Sequence, residues 1–159
     1  MTVIIGCDPG LTMTAFALIH DGRGRVKLAG HAFAVHDIKE IFRVATNTFN
    51  SPGWGNAALF AIEENIGAAH GNIKTALKQR EVIGVCKLAA MMSGLTVVEV
   101  YPKSAKLALT GSGNADKDEM VAAAGRIVDG FPGGLTVAKS EALADACGIA
   151  LAGLRKGTA

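Results

Sequence analysis

The stretch Val3-Ile4-Ile5-Gly6-Cys7-Asp8-Pro9-Gly10 is an apolar run that ends in an acid and a turn. Its apolar residues follow one another without alternation and include several β-branched side chains, which is typical of a strand covered on both faces. The proline and glycine that follow mark the end of the strand. The stretch therefore predicts a buried strand that carries a carboxylate at its C-terminal end.

The residues after this stretch predict an antiparallel meander followed by a helix and a further strand. Residues 14–19 and 26–33 have the composition of two strands, and residues 21–24 form a turn between them. A helical pattern over residues 35–49 then ends at a glycine- and proline-rich break, which precedes an apolar strand at residues 57–62.

The second half of the chain is mostly helical. Its elements are a long helix at 73–92, a fifth strand at 95–101, a short helix from Pro102, a helix from Asp116 and a last helix at 140–154. Asp116 and Glu119 have the spacing of a capping box, which fixes that helix start. This order predicts an α/β, RNase H-like fold with a mixed five-stranded sheet, three antiparallel strands then two parallel ones, and helices on both faces.

The long helix carries two apolar faces. One contains Ile73, Leu77, Gly84, Leu88 and Met91, and the other contains Val82, Val85, Ala89 and Met92. A single sheet covers only one such face. The second face is expected to pack on the last helix of the domain or on a partner subunit.

Composition indicates one globular domain over residues 1–159. Half of the residues are hydrophobic and only 5% are aromatic, so small aliphatic side chains must fill the core. The net charge of +2 permits binding to a polyanion without requiring it.

Cys7, Cys86 and Cys147 lie far apart in apolar runs, which favours buried free thiols over a disulfide or a zinc site. No leader and no membrane-length apolar run is found in the sequence, so we expect a soluble cytoplasmic protein.

Acids stand where apolar elements end or are interrupted. Asp8 follows the first strand and Glu63 follows the fourth, and the ends of parallel neighbours lie roughly 5 Å apart. Asp145 is the only charged residue between Glu141 and Arg155, and an isolated charge in an apolar helix is costly. Glu141 lies four residues before Asp145, so the two share one helix face.

Three or four carboxylates cannot stand together as bare anions, and hard oxygen ligands of this kind suit Mg²⁺ or Mn²⁺. Two such ions activate water and stabilise a leaving oxygen in phosphodiester hydrolysis. We therefore predict a metal-dependent nuclease site at Asp8, Glu63, Asp145 and Glu141. Taken singly, Asp8 before Pro9 is also a good turn former, and Glu63 is also consistent with a solvated charge at a strand end.

Four segments stand in order along the chain: Ile4-Ile5-Gly6-Cys7-Asp8-Pro9-Gly10-Leu11-Thr12, Ala61-Ile62-Glu63-Glu64, Thr110-Gly111-Ser112-Gly113-Asn114-Ala115-Asp116-Lys117 and Ala144-Asp145-Ala146-Cys147-Gly148-Ile149-Ala150. Their order and spacing resemble the RuvC family of Holliday-junction resolvases over nearly the whole chain. The resemblance implies a Mg²⁺-dependent homodimer that holds a four-way DNA junction and makes paired nicks. It implies catalytic acids at Asp8, Glu63 and Asp145, basic DNA contacts at Lys106 and Lys117, and a dimer helix at 73–92. Lys103 stands on the same short helix as Lys106 and is added to the DNA contacts.

Two features depart from the family pattern. The family's last motif often has paired aspartates three residues apart, whereas this chain has Ala142 at that position and Glu141 one residue earlier. Glu141 is either a fourth ligand or a glutamate that favours the helix dipole. The family also commonly has an aromatic wedge soon after the glutamate of the fourth strand, and no aromatic residue lies here between Glu63 and Tyr101. Ile66 and His70 are each either a substitute for the wedge or, as we favour, a plain loop residue.

Several alternatives remain open at this point. Lysines and arginines at Lys74, Lys78, Arg80, Lys103, Lys106 and Lys117 either hold DNA phosphates or are simply solvated. A looser nuclease for forks or loops uses the same acids. A junction-binding module that does not cut DNA is a further alternative. The segment Asp8-Pro9-Gly10-Leu11-Thr12 also resembles the phosphate loop of actin-like phosphotransferases, although that architecture uses two such domains.

Overall fold

A computed structural model describes residues 2–22, 25–33, 37–64 and 72–157. Within these ranges the strands are β1 (Val3–Pro9), β2 (Thr14–Gly22), β3 (Arg25–Phe33), β4 (Leu59–Glu63), β5 (Thr96–Val100) and β6 (Val128–Asp129). The helices are α1 (Ile38–Phe49), α2 (Ile73–Met92), α3 (Pro102–Thr110), α4 (Lys117–Ile127) and α5 (Val137–Gly157). None of these helices combines the length and the hydropathy that crossing a bilayer requires.

The strands form one mixed sheet in the order β5-β4-β1-β2-β3-β6. β1, β2 and β3 are antiparallel neighbours, while β4 runs parallel to both β1 and β5. The five predicted strands and their directions are confirmed. The predicted number was one too low, because β6 adds two residues beside β3 through Val26↔Val128 and Lys27↔Asp129. So short a pairing depends on tertiary packing and leaves no pattern in the sequence.

Helices cover both faces of the sheet, as predicted. On one face α3, α4 and α5 enclose a core built mainly of alanines and small aliphatic residues. On the other face α1 and α2 enclose a core that includes Phe16, Phe49 and Phe60, whose rings meet edge to face. The strand β1 contributes alternate residues to the two cores, which agrees with its unbroken apolar sequence.

Helix α5 approaches the sheet unusually closely, and glycines make the approach possible. A Cβ atom added at Gly6 would lie 2.1 Å from the Ala146 carbonyl oxygen and 2.7 Å from the Ala150 Cβ. One added at Gly153 would lie 2.5 Å from the Ala61 Cβ. Both distances are far below van der Waals contact, so α5 can rest on β1 and β4 only because these side chains are absent.

Helix α2 has one face buried and one face exposed. Val82, Cys86 and Ala89 are buried against the sheet, whereas Leu77 and Met91 are 53% and 59% exposed. The prediction of two apolar faces is therefore confirmed, except that Met92 of the buried stripe is itself exposed. The last helix of the domain, α5, packs on the other face of the sheet, so it does not cover the exposed face of α2.

Helix starts follow local side-chain capping. The predicted capping box is present, since the Asp116 carboxylate accepts from the Glu119 backbone N–H and the Glu119 carboxylate accepts from the Asp116 N–H. Helix α5 begins at Val137, three residues before the predicted start, because the hydroxyl of Thr136 accepts from the Lys139 N–H. The predicted first residues of α1, before position 37, lie outside the described ranges. All three cysteines are buried free thiols, as predicted.

Candidate active site

Two acids lie at the same edge of the sheet. Cys7 of β1 is the parallel partner of Ile62 of β4, so the residues that follow them, Asp8 and Glu63, occupy equivalent places on neighbouring strands. Neighbouring strands are separated by about 4.8 Å. Glu63 is held in turn by pairing with Val100 of β5. The first part of the predicted site is thus assembled by backbone pairing.

The third acid comes from α5. Asp145 immediately precedes Ala146, whose carbonyl oxygen packs on Gly6, and this contact brings Asp145 against the C-terminal end of β1. The negative charge of Asp145 raises the pKa values of both Asp8 and Glu63. Asp8, Glu63 and Asp145 therefore lie close enough together for their charges to repel, although they come from three separate elements.

The electrostatics of these three acids are dominated by burial. Burial raises the pKa of Asp8 to about 8, with further increases from Asp145 and Glu63 and a decrease from Lys117. Burial is also the first cause that raises the pKa values of Glu63 and Asp145. Among the described residues, no donor forms a hydrogen bond or ion pair with any of the three carboxylates. No hydrogen bond or ion pair within the described residues therefore balances the negative charge of the three carboxylates directly.

Two lysines flank the acids. Lys106 of α3 donates to the Ala115 carbonyl oxygen at 2.7 Å, and its charge lowers the pKa values of Glu63 and Asp145. Lys117 is the first residue of α4, where the capping box fixes the backbone, and its charge acts on Asp8 and Asp145. Lys103 is exposed in the first turn of α3, and its side chain forms no hydrogen bond or ion pair with a described residue.

Glu141 lies beside the cluster but is bonded to a lysine. Its Oε2 accepts from Lys117 Nζ at 2.6 Å, and its charge raises the pKa of Asp145. Because α5 begins at Val137, Glu141 lies in the second turn, which weakens the alternative of a first-turn glutamate on the helix dipole. Sequence reasoning missed this ion pair, since its members stand 24 residues apart and no local spacing links them.

The carboxylate oxygens suit a hard divalent cation, although the side chains do not adopt a complete coordination geometry. In the part of the chain that the structure describes, no three Asp, Glu, His or Cys side chains converge closely enough to enclose an ion. The partly buried, mutually repelling oxygens at Asp8, Glu63 and Asp145 are nevertheless the ligand type that Mg²⁺ and Mn²⁺ prefer. A cation placed among them would relieve the repulsion that raises their pKa values.

Other predicted DNA contacts lie on α2 or outside the described ranges. Lys74, Lys78 and Arg80 are exposed along α2. The candidate wedge residues Ile66 and His70 lie outside the described residues, so their proposed role stays a prediction.

Comparisons with known proteins agree on one family. The profile of the family described as crossover junction endodeoxyribonuclease RuvC matches residues 4–152. RuvC of Nocardia farcinica (strain IFM 10152) is 30% identical over 157 residues, which cover 93% of this chain and 78% of that protein. RuvC of Halorhodospira halophila (strain DSM 244 / SL1) is 31% identical over 127 residues, which cover 76% of this chain and 73% of that protein.

Solved structures show the same fold. The structure of T. thermophilus RuvC in complex with a Holliday junction substrate matches with a TM-score of 0.79 at 24% identity, covering 99% of this chain and 98% of that one. The fowlpox virus Holliday junction resolvase matches with a TM-score of 0.60 at 14% identity, covering 98% of this chain and 99% of that one.

Proposed function

The chain belongs to the RuvC family of crossover junction endodeoxyribonucleases, and we propose that it resolves four-way DNA junctions by metal-dependent nicking. One observation carries this proposal for the present site. Three partly buried carboxylates from β1, β4 and α5 lie at one sheet edge, where burial raises the pKa of Asp8 to about 8. Such a cluster of repelling carboxylates is costly unless a cation or a proton binds there, and clusters of this kind are typical of functional sites.

We infer that Asp8, Glu63 and Asp145 hold Mg²⁺, with Mn²⁺ able to substitute, and that two ions bind in the complex with DNA. When bound, such ions activate water and stabilise the leaving oxygen of a phosphodiester. Glu141 is the proposed fourth acid; its Oε2 accepts from Lys117, and its other carboxylate oxygen has no hydrogen-bond partner among the described residues. The products are proposed to be 5′-phosphate and 3′-hydroxyl ends.

The lysines supply positive charge around the scissile phosphate. Lys106 and Lys117 are placed by α3 and α4 close enough to alter the pKa values of the acids, so a phosphate at the acids would also lie near both ammonium groups. Lys103, one helical turn before Lys106, is proposed to meet the DNA backbone further out. Binding through these lysines should weaken as salt concentration rises.

A homodimer is proposed through the exposed face of α2. This face carries Leu77, Leu88 and Met91, which are 53%, 48% and 59% exposed. Apolar side chains aligned along one helix face favour association with a second apolar surface. Two copies related by a twofold axis would present two sets of acids, as paired nicks require.

The deciding experiment compares a labelled four-way junction, a fork and a plain duplex, each with Mg²⁺ and with EDTA. We expect nicking of the junction only with Mg²⁺, and we expect Asp8→Asn and Asp145→Asn to lower the rate at least about a hundredfold while retaining DNA binding. Lys139→Gln, which changes an exposed residue in the first turn of α5, is the matched control.

Each rival function has its own outcome in this experiment. Binding without nicking would favour a junction-binding module, and equal cutting of forks would favour a looser nuclease. Equal cutting of plain duplex would remove the junction specificity. The phosphotransferase alternative rested on the segment Asp8-Pro9-Gly10-Leu11-Thr12, and the family match covers that segment. Titration calorimetry with ATP and Mg²⁺ should show no binding.

A further inference from the structure

A cavity of ≈ 450 Å³ lies beside the edge strand β5, between α3 and the last turns of α5. Val100, Ala108 and Ala152 give it apolar walls. Tyr101 and Leu107 also line it, and they remain 50% and 51% exposed. An aromatic ring and a leucine left open to solvent beside an apolar cavity indicate a surface suited to a flat, apolar group.

Two cations line the same cavity. Arg155 Nη2 donates to the Ala108 carbonyl oxygen at 3.4 Å, and Lys156 Nζ donates to the Glu99 carbonyl oxygen at 2.9 Å. The Glu99 carboxylate is engaged by Lys87 instead. Within the described ranges, therefore, neither Arg155 nor Lys156 has a carboxylate partner. Both side chains are held in place by backbone oxygens and still have N–H groups available for an anion.

The cavity lies close to the acids. Val100 is the strand partner of Glu63, and Tyr101 is the next residue along the chain, so the cavity begins one strand away from the carboxylates. Helix α3 lies between the acids and the cavity. The charge of Lys106 lowers the pKa values of Glu63 and Asp145, whereas the next residue, Leu107, lines the cavity. A helix is about 10 Å across, a distance that two or three nucleotides can span.

A ligand for this cavity must combine an anion with a flat ring. We propose that the cavity binds one nucleotide of an unpaired DNA strand, with its base against Tyr101 and Leu107 and its phosphate between Arg155 and Lys156. A paired base is covered by its neighbours and cannot enter an apolar cavity, whereas an unpaired base stacks readily on an aromatic ring. The inference rests on the proposed function and adds to it a preference for branches that carry an unpaired strand near the crossover.

The test measures binding in EDTA, so that no cutting occurs. One fluorescent four-way junction has four duplex arms, and a second has one arm replaced by single-stranded oligothymidylate. We expect Arg155→Gln combined with Lys156→Gln, and separately Tyr101→Ser, to weaken binding of the second junction about tenfold. Binding of the all-duplex junction should change less than about twofold. Tyr101→Phe should bind like the unchanged protein, because the ring is retained.

Controls separate the cavity from general charge effects. Arg126→Gln removes one exposed cation in the last turn of α4, next to β6 at the opposite edge of the sheet, and should leave both affinities unchanged. Thymidine monophosphate should displace the single-stranded arm better than inorganic phosphate does. Equal displacement by the two would make this a bare anion site, and unchanged affinity in the Arg155 and Lys156 double variant would overturn the proposal.

Failure of this inference differs from failure of the proposed function. If the cavity does not bind DNA, the all-duplex junction is still nicked with Mg²⁺ and only the preference for an unpaired arm is absent. If the proposed nuclease function is wrong, no junction is nicked with Mg²⁺, whatever the cavity variants do to binding in EDTA.

Discussion

Lys117 and Glu141 form an ion pair that joins α4 to α5 beside the acids, with Nζ and Oε2 2.6 Å apart. The lysine side chain is 68% exposed and the glutamate side chain 21% exposed. Burial raises the pKa values of Asp8 and Asp145, and the charge of Lys117 offsets part of this rise. Glu141 therefore has two proposed tasks, which are to hold Lys117 through Oε2 and to coordinate a cation through its other oxygen.

Replacing Glu141 by glutamine should separate these tasks. As a metal ligand, Glu141 contributes an anionic oxygen that glutamine lacks, so we expect Glu141→Gln to weaken Mg²⁺ binding and to lower the nicking rate about tenfold. The rise in melting temperature on adding Mg²⁺ reports the binding without catalysis. A slower rate with an unchanged thermal shift would show that Glu141 only positions Lys117. Asp118→Asn, on the exposed first turn of α4, tests for loss of negative charge alone.

Without metal, the stability of the protein should fall as the pH rises. Burial raises the pKa of Asp8 from an ordinary value near 4 to about 8, so folding favours the protonated acid. The stabilisation that this proton gives is fully present below a pH of about 4 and is lost as the pH passes through about 8. Asp8→Asn should therefore raise the free energy of unfolding in EDTA at a pH of about 9, by on the order of 2 kcal/mol.

Urea unfolding in EDTA at a pH of about 4 and of about 9 checks this expectation. The benefit of Asp8→Asn should nearly vanish at the lower pH, and adding Mg²⁺ at the higher pH should stabilise the unchanged protein more than the variant. Asp129→Asn, at an exposed position in β6, serves as the control. A gain of the same size at both pH values would contradict the role given to Asp8.

Adding a single methyl group at Gly6 should disturb both the fold and the site. The new Cβ would lie 2.1 Å from the Ala146 carbonyl oxygen, so α5 would have to move away from β1 and take Asp145 with it. We expect Gly6→Ala to lower the free energy of unfolding by about 2–3 kcal/mol and to reduce nicking. Gly125→Ala is the matched control, because an added Cβ there meets no atom within 4 Å. It should instead be neutral or stabilise α4 by about 0.5–1 kcal/mol.

A charge on the exposed face of α2 should dissociate the proposed dimer. Leu88 is 48% exposed, and a lysine there would be desolvated and unpaired in an interface between two such faces. We expect Leu88→Lys to sediment as a monomer at concentrations where the unchanged protein is a dimer. Ile127→Lys alters a similarly exposed apolar residue at the end of α4 and should leave the mass unchanged. A Leu88→Lys variant that remains a dimer would place the interface elsewhere. An unchanged protein that is monomeric would contradict the proposed dimer.

Features that depend on neighbours in sequence could be predicted from it. The apolar run before Asp8 predicts β1 because a strand buried on both faces has no polar alternation. The spacing of Asp116 and Glu119 predicts the start of α4 because both partners of the capping box lie within one turn. The meeting of Asp8 and Glu63 could also be predicted, since it requires only that β1 and β4 be parallel neighbours.

Features that depend on tertiary packing could not be predicted. The ion pair between Lys117 and Glu141 joins two helices whose relative position is set by glycine contacts. The two residues of β6 directly follow α4 and pair with β3, which is far away in the sequence. The start of α5 was predicted three residues late because the capping threonine, Thr136, is followed by Val137, which is not a strong helix former.

The contacts that hold α5 close to the sheet are independent of the acids that this helix carries. Backbone contacts at Gly6, Gly148 and Gly153 fix the helix along three of its turns, and none of these contacts involves an acidic side chain. The packing of α5 on the sheet through these glycines therefore does not depend on its acidic side chains. Ala142, three residues before Asp145, is buried, while a carboxylate stands one residue earlier at Glu141. We therefore expect substitutions of the acids on α5 to change the charge of the site while the protein remains folded.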